Sequence, residues 1–215
     1  MNKVLCLLPL LCALACQEKQ AERAADLIPL IDSHVHLTPT PECAERALAI
    51  FEDTGVTRFC TKSAGYFPSR RFMATIKLKE QFGKRFAFFA NLNWQGIDDP
   101  DWPQREARRL EKAVSLGARG LKIFKSLGLG VRTADDKLLA VDDERLDLVM
   151  ETAARLGVVV AMHTADPKVF FEPPGPENER YLELLFAPSW SFYGKDYPTR
   201  RELFEARNRL IERHP

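Results

Sequence analysis

The segment Leu30-Ile31-Asp32-Ser33-His34-Val35-His36-Leu37 starts with two apolar residues and continues as an Asp-x-His-x-His pattern. On a β-strand, residues two apart point to the same side, so Asp32, His34 and His36 are predicted to share one face. The opposite face is predicted to carry Ile31, Val35 and Leu37. Two neutral imidazoles held side by side on a strand provide half of a site for a divalent transition metal. A strand with two incidental histidines is the alternative.

The histidine inventory favours the metal interpretation. The chain has 4 histidines, at positions 34, 36, 163 and 214. His163 ends a second apolar run, residues 158–162, and lies where a third ligand is needed. Because inward-facing side chains at the strand ends of a closed parallel sheet converge, three imidazoles are expected to meet there and to leave one position for water. Such a site lowers the pKa of water and yields a hydroxide nucleophile. His214 follows a predicted helix, so we exclude it.

A lysine interrupts another apolar strand, Gly120-Leu121-Lys122-Ile123-Phe124-Lys125. A buried lysine without a partner is costly, so one lysine of this strand is expected to serve the site. Alternation places Lys122 and Lys125 on opposite sides. Lys122 is predicted to face inwards because it aligns with Gly120, whose small size leaves room beneath a metal. A structural ion pair of Lys122 is the alternative.

A strand-then-helix rhythm repeats along the chain from residue 27. Strands are predicted over residues 30–36, 56–61, 86–92, 120–124 and 158–163, and helices over residues 41–53, 69–82, 103–115, 143–156 and from 199 onwards. This spacing suits βα units joined in parallel, so the predicted fold is α/β, a (β/α)8 TIM barrel with about five βα units present. Since eight units need roughly 250 residues, residues 27–215 are expected to be the N-terminal part of a longer barrel. A complete five-strand open sheet is the alternative.

Two long segments, residues 126–141 and 164–198, follow the fourth and fifth predicted strands. Long loops at the C-terminal ends of barrel strands are commonly lids or binding elements, which predicts such a role here. Simple coverage of the rim by the many aromatic residues of the second segment is the alternative. The first segment contains Asp135-Asp136-Lys137, which predicts a small hairpin turn.

The composition is that of a globular chain, with 46% hydrophobic and 28% charged residues. The formal net charge is +1 and no long basic run occurs, which argues against nucleic acid as a partner because phosphate binding needs a concentrated cationic surface. Cys43 and Cys60 are predicted to be buried thiols, because two cysteines in a domain of this size do not form a disulfide framework.

The N-terminus is predicted to be an export signal. Met1-Asn2-Lys3 and the apolar run 4–14, too short for a convincing membrane span, predict a signal peptide over residues 1–15. Small residues before Cys16 resemble a bacterial lipoprotein signal, so Cys16 is predicted to be lipidated and residues 16–26 to be a tether. The expected location is the cell envelope or periplasm, with membrane contact only through the lipid. Plain cleavage before Cys16 is the alternative.

Three motifs together resemble the amidohydrolase superfamily: residues 31–37, residues 120–122 and residues 162–164. The nearest branch looks like the TIM-barrel hydrolases that include metal-dependent decarboxylases, and the resemblance covers about residues 27–215. It implies that His34, His36 and His163 bind metal and that Lys122 matches a lysine that some branches carboxylate to bridge two metals. Asp32 is expected to orient an imidazole. The pattern also has a sixth-strand histidine and an eighth-strand aspartate, which are expected downstream.

Three functions follow as hypotheses. The first is a metal-dependent hydrolase that cleaves an amide, ester or lactone of a small molecule, with zinc expected and manganese or iron as alternatives. The second is a decarboxylase or hydratase of the same superfamily, for which Lys62, Lys122 and Lys125 near strand ends suit an anionic substrate. The third is an envelope-anchored binding protein with a degenerate barrel. The sequence leaves the oligomeric state open.

Overall fold

The computed structural model describes residues 29–215. The predicted signal peptide, Cys16 and the tether therefore lie outside the described residues. Within residues 29–215, no helix has the length and the hydropathy needed to cross a membrane.

Strands and helices alternate along the described chain, as an α/β fold requires. The strands are β1 (Leu30–Val35), β2 (Val56–Thr61), β3 (Phe86–Phe88), β4 (Ala90–Asn91), β5 (Gly120–Ile123) and β6 (Val159–Met162). The helices are α1 (Pro41–Asp53), α2 (Arg70–Phe82), α3 (Trp102–Ser115), α4 (Ser126–Leu129), α5 (Asp147–Arg155), α6 (Tyr181–Phe186) and α7 (Arg200–Arg213). Single 3₁₀ turns lie at Gly83–Arg85, Glu144–Leu146, Lys168–Phe171 and Pro188–Trp190.

All strand pairs are parallel, in the orders β1-β2-β3 and β4-β5-β6. The segments β3 and β4 are separated only by Phe89, whose backbone amide donates to the Thr61 carbonyl of β2 at 2.9 Å. On the other side, the Phe88 carbonyl accepts from the Arg119 amide at 2.9 Å. One extended run therefore joins both sheets, and the strand predicted over residues 86–92 is divided where its hydrogen bonding passes from β2 to β5.

Local capping explains where several helices begin. The Ser69 hydroxyl accepts from the Phe72 amide at 3.2 Å and starts α2. Thr199 and Glu202 cap each other's backbone amides at the start of α7, which confirms the predicted capping box. The helix predicted from residue 143 instead begins with a 3₁₀ turn, because the Asp143 carboxylate accepts from the Arg145 amide and holds that turn.

The core consists of two apolar clusters between strands and helices. The first includes Phe59, Phe72, Phe86 and Phe88 beside α1 and α2. The second includes Trp102, Leu121, Ile123, Leu146 and Leu210 beside α3, α5 and α7. Each fully buried side chain of this size contributes roughly 1.5–3 kcal/mol through removal of apolar surface from water. These clusters fix the helices against the sheet and so position the strand ends.

An irregularity interrupts β1 between Asp32 and Val35, the interval that contains His34. Asp32 pairs with Phe59 and Val35 with Thr61, so β1 has one more residue than β2 over this interval. An extra residue breaks the two-residue alternation of a strand. Val35 packs against the core, whereas Ile31 is 57% exposed. The apolar face predicted for the whole of residues 31–37 therefore does not extend along all of β1.

The two loops after β5 and β6 are both structured. An antiparallel bridge between Arg132 and Leu138 confirms the hairpin turn predicted at residues 135–137. The segment 164–198 contains α6, which was not predicted because six residues are too few to show helical periodicity. Within this segment the Phe171 and Phe192 rings stack at 4.8 Å and pack against the core. These two rings therefore help to cover the core; whether the segment is a lid stays a prediction.

Candidate active site

The two histidines of the Asp-x-His-x-His motif lie side by side at the C-terminal end of β1. Their ring centroids are 5.2 Å apart, and the rings are inclined by 58°. The His36 ring also lies 5.8 Å from the ring of Phe124, which follows β5. Because β3 and β4 occupy one strand position, β1 and β5 would be three strand spacings apart in a flat sheet. That is about 14 Å, and the side chains would stand perpendicular to the sheet. The contact therefore indicates a sheet that curves and brings these strand ends together.

His163 is the first residue after β6. Its backbone amide donates to the Ile123 carbonyl at 2.9 Å, which holds it beside the end of β5. Partial burial and the charge of Lys122 lower the pKa of His163, while Asp166 acts in the opposite direction. Burial, then Lys122, also lower the pKa values of His34 and His36. All three imidazoles are therefore biased towards the neutral form, the only form that binds a metal.

Lys122 is only 3% exposed, although its side chain ends in an ionisable amine. Burial and the nearby Lys62 lower the pKa of its ammonium group. Within residues 29–215, that group makes no hydrogen bond or ion pair, and the Phe124 ring lies 5.6 Å away. Lys125 differs, because its ammonium pairs with Asp166 at 2.7 Å. The ion pair considered for Lys122 is thus found at Lys125 instead.

Asp32 contacts His34 through the backbone. Its carboxylate accepts from the His34 amide at 2.9 Å. This short bond spans the irregular part of β1 and fixes the chain as it enters the two histidines. The structure gives no bond between Asp32 and an imidazole ring, so a role in orienting a ring stays a prediction.

The amidohydrolase family model matches residues 31–215. The chain belongs to the amidohydrolase family. The match contains every candidate residue from Asp32 to His163 and confirms the resemblance drawn from the three motifs. Membership implies the TIM-barrel fold and hydrolase-type chemistry, for which the family generally uses divalent metals. No curated protein matches the chain.

The ligand types in this amidohydrolase suit a divalent transition metal, but they are not assembled as a complete set. Neutral imidazoles are good ligands for zinc, and His34 and His36 already lie together. Within the described chain, however, no three or more His, Cys, Asp or Glu side chains are grouped so that they could hold a metal ion. The three-imidazole centre therefore stays a prediction. His214 lies elsewhere, with its ring 2.9 Å from the Asp147 carboxylate.

Two residues of this amidohydrolase that sequence reasoning missed hold the strand ends in place. The Asn91 side-chain amide donates to the Lys62 carbonyl at 2.9 Å and to the Lys122 carbonyl at 3.3 Å. Arg71 donates to the Leu37 carbonyl at 2.8 Å and also contacts Ser63, so α2 is joined to the loops after β1 and β2. Asn91 could have been found from the sequence, because it is a polar residue at the end of an apolar strand. No sequence feature marked Arg71, since an arginine in the first turn of a helix is ordinarily a surface residue.

Proposed function

We propose that this amidohydrolase is a metal-dependent hydrolase that cleaves an amide, ester or lactone bond of a small molecule. The observation that carries the proposal is the pair of adjacent His34 and His36 rings at the end of β1. Family membership supports it, because the family generally uses divalent metals. The shared electrostatic surroundings of these rings, His163 and Lys122 add further support.

Each residue has a distinct role in this proposal. His34, His36 and His163 would hold the cation through neutral ring nitrogens, with zinc as the expected ion and manganese or iron as alternatives. When bound, the cation supplies Lewis-acid chemistry that polarises a carbonyl and lowers the pKa of water. Lys122 would be a further ligand if its amine were carboxylated. Asp32 would hold the His34 backbone in register through the bond that it already makes.

The exposed edges of the sheet support a larger barrel as part of the same proposal. Within the described residues, β1 pairs only with β2, and β6 pairs only with β5. Apolar residues are exposed along both edges, with Ile31 57% and Val159 64% accessible. Additional strands would cover these side chains, and they would carry the histidine and the aspartate that the family pattern places on the sixth and eighth strands.

A decarboxylase is the second candidate, because two buried lysines at the strand ends suit a carboxylate. The two reactions differ in their products when the full-length protein is incubated with lactones, esters, amides and carboxylic acids in ¹⁸O-labelled water. Hydrolysis places one labelled oxygen in the product, whereas decarboxylation releases carbon dioxide. The expected result is labelled product, which His34→Ala/His36→Ala loses and His214→Ala keeps. Unlabelled product with carbon dioxide, or equal activity of all three proteins, would contradict the proposal.

A further inference from the structure

We propose that the substrate carries a carboxylate and that the Lys62 ammonium binds it, an inference that rests on the proposed function and names the substrate class of the same site. Lys62 directly follows β2, and its backbone amide donates to the Val35 carbonyl at 2.9 Å. Val35 lies between His34 and His36 in the chain. The Lys62 backbone is thus held next to the segment that carries the two imidazoles, at the same end of the sheet.

The Lys62 ammonium group is buried without a counter-charge. The residue is 7% exposed, and its Nζ atom lies 3.2 Å from the Phe89 ring centroid and 3.7 Å from the Cys60 sulfur. Within residues 29–215, no carboxylate pairs with it. An aromatic face and a thiol stabilise an ammonium only modestly, and a buried cation without an anion is costly. The group therefore keeps donor capacity for an anion.

The charges around Lys62 also favour an anionic ligand. Lys122, 3% exposed, is a second buried amine near the same histidines, and it adds positive charge as long as it is protonated and not carboxylated. Of the carboxylates close by, Asp166 pairs with Lys125, whereas Asp32 accepts from the neutral His34 amide and keeps its charge, which leaves one carboxylate beside Lys62 and Lys122. The described part of the site therefore has more unpaired cations than available anions, and a substrate carboxylate would restore the balance.

The backbone of the two lysines is held rigidly. The Asn91 side chain donates to both lysine carbonyls, at 2.9 and 3.3 Å, and accepts from the Gly65 amide at 2.7 Å. One side-chain nitrogen bridges the two carbonyl oxygens, so the backbone of Lys62, after β2, and that of Lys122, on β5, are fixed relative to each other across the one strand between them. Preorganised donors of this kind bind an anion with little ordering cost.

Titration calorimetry on the full-length protein tests the assignment with two probes. Succinate supplies carboxylates, and acetohydroxamate is a metal chelator without a carboxylate, whose charge lies at the metal when it is bound. The variants are Lys62→Met, which keeps the stem and removes the charge, Lys62→Arg, which keeps a charge, and Lys84→Met. Lys84 is an exposed control in the turn before β3, at the opposite end of the strands. Lys62→Met is expected to fold at least as stably as the wild type, because it removes a buried charge.

Succinate affinity is expected to fall about 10- to 100-fold in Lys62→Met and to be largely kept in Lys62→Arg and Lys84→Met. Acetohydroxamate affinity is expected to change less than about twofold in Lys62→Met, since its binding does not need that ammonium. Equal succinate affinity of Lys62→Met and Lys84→Met would overturn the inference, as would equal losses for both probes. Failure of the metal proposal has a different signature: acetohydroxamate then binds to none of the proteins, while the succinate comparison still reports on Lys62.

Discussion

Replacement of Asn91 by aspartate isolates the hydrogen bonds that tie the strand ends together. The Asn91 side chain makes three such bonds: one accepted from the Gly65 amide, and two donated to the carbonyls of Lys62 and Lys122. Aspartate has nearly the same shape and keeps the first bond. It loses both donors and places a carboxylate opposite two carbonyl oxygens. The substitution therefore separates the loss of hydrogen bonds from a change in volume.

The expected cost follows from these contacts. Each lost bond is worth about 1 kcal/mol net, and an acceptor left unpaired in a half-buried place adds up to about as much again, so the free energy of unfolding is expected to fall by about 2–4 kcal/mol. For a domain of this size that corresponds to a melting temperature lower by roughly 5–15 °C.

Thermal and urea unfolding followed by circular dichroism measure this loss. Asn208→Asp is the matched control, because Asn208 is exposed on α7 and its replacement is expected to change stability by less than about 0.5 kcal/mol. If Asn91→Asp shifts unfolding no more than Asn208→Asp does, Asn91 does not hold the strand ends, and the rigidity inferred for the two lysines is refuted.

Three further predictions concern the fold and the anchor. Burial alone would raise the pKa of Asp143, but Arg145 outweighs this effect and lowers it below the ordinary value of 3.8. The stability that Asp143 contributes is therefore present above that value and lost as the pH falls through the folded-state pKa, so urea unfolding of Asp143→Asn and wild type should differ at pH 7 and converge in acid. Trp102→Phe removes the bond from the buried indole to the Asn93 carbonyl, 2.9 Å long, and should cost about 1–3 kcal/mol in thermal unfolding. Cys16→Ser should move the protein from the membrane fraction to the soluble fraction of cells, and unchanged fractionation would contradict the predicted lipid anchor.

The parts of the fold that depend on local sequence were predictable. The bounds of β2 match the run of residues 56–61, and the capping box at Thr199 and Glu202 marks the start of α7. Helix α5 began later than predicted, because Asp143 first holds a 3₁₀ turn. The sequence signals for these features lie within a few residues of the elements that they form. Asp143 is the exception, because its position at the start of a helical pattern does not show that a 3₁₀ turn precedes the α-helix.

Features that depend on partners distant in the chain were not predictable. The irregularity in β1 is defined by its register against β2, and periodicity within residues 31–37 gives no sign of it. Asn91 bonds to Lys62 and Lys122, which lie 29 and 31 positions away from it in the sequence. The candidate site follows the same division. The sequence predicted the imidazoles and Lys122 as candidates, and their role stays a prediction, whereas the absence of an ion pair at Lys62 is seen only in the packed strand ends of the described chain.

Metal content is the most direct test of the central claim that imidazoles at the ends of β1 and β6 hold a divalent cation. Inductively coupled plasma mass spectrometry on the full-length wild type, on His34→Ala/His36→Ala and on His214→Ala gives the metal per chain. His214→Ala is the matched control, because that ring bonds to Asp147 instead. The account predicts about one or two equivalents of zinc, manganese or iron in wild type and control and a loss of most of it in the double variant. Equal metal content in all three proteins, or none in the wild type, would contradict it.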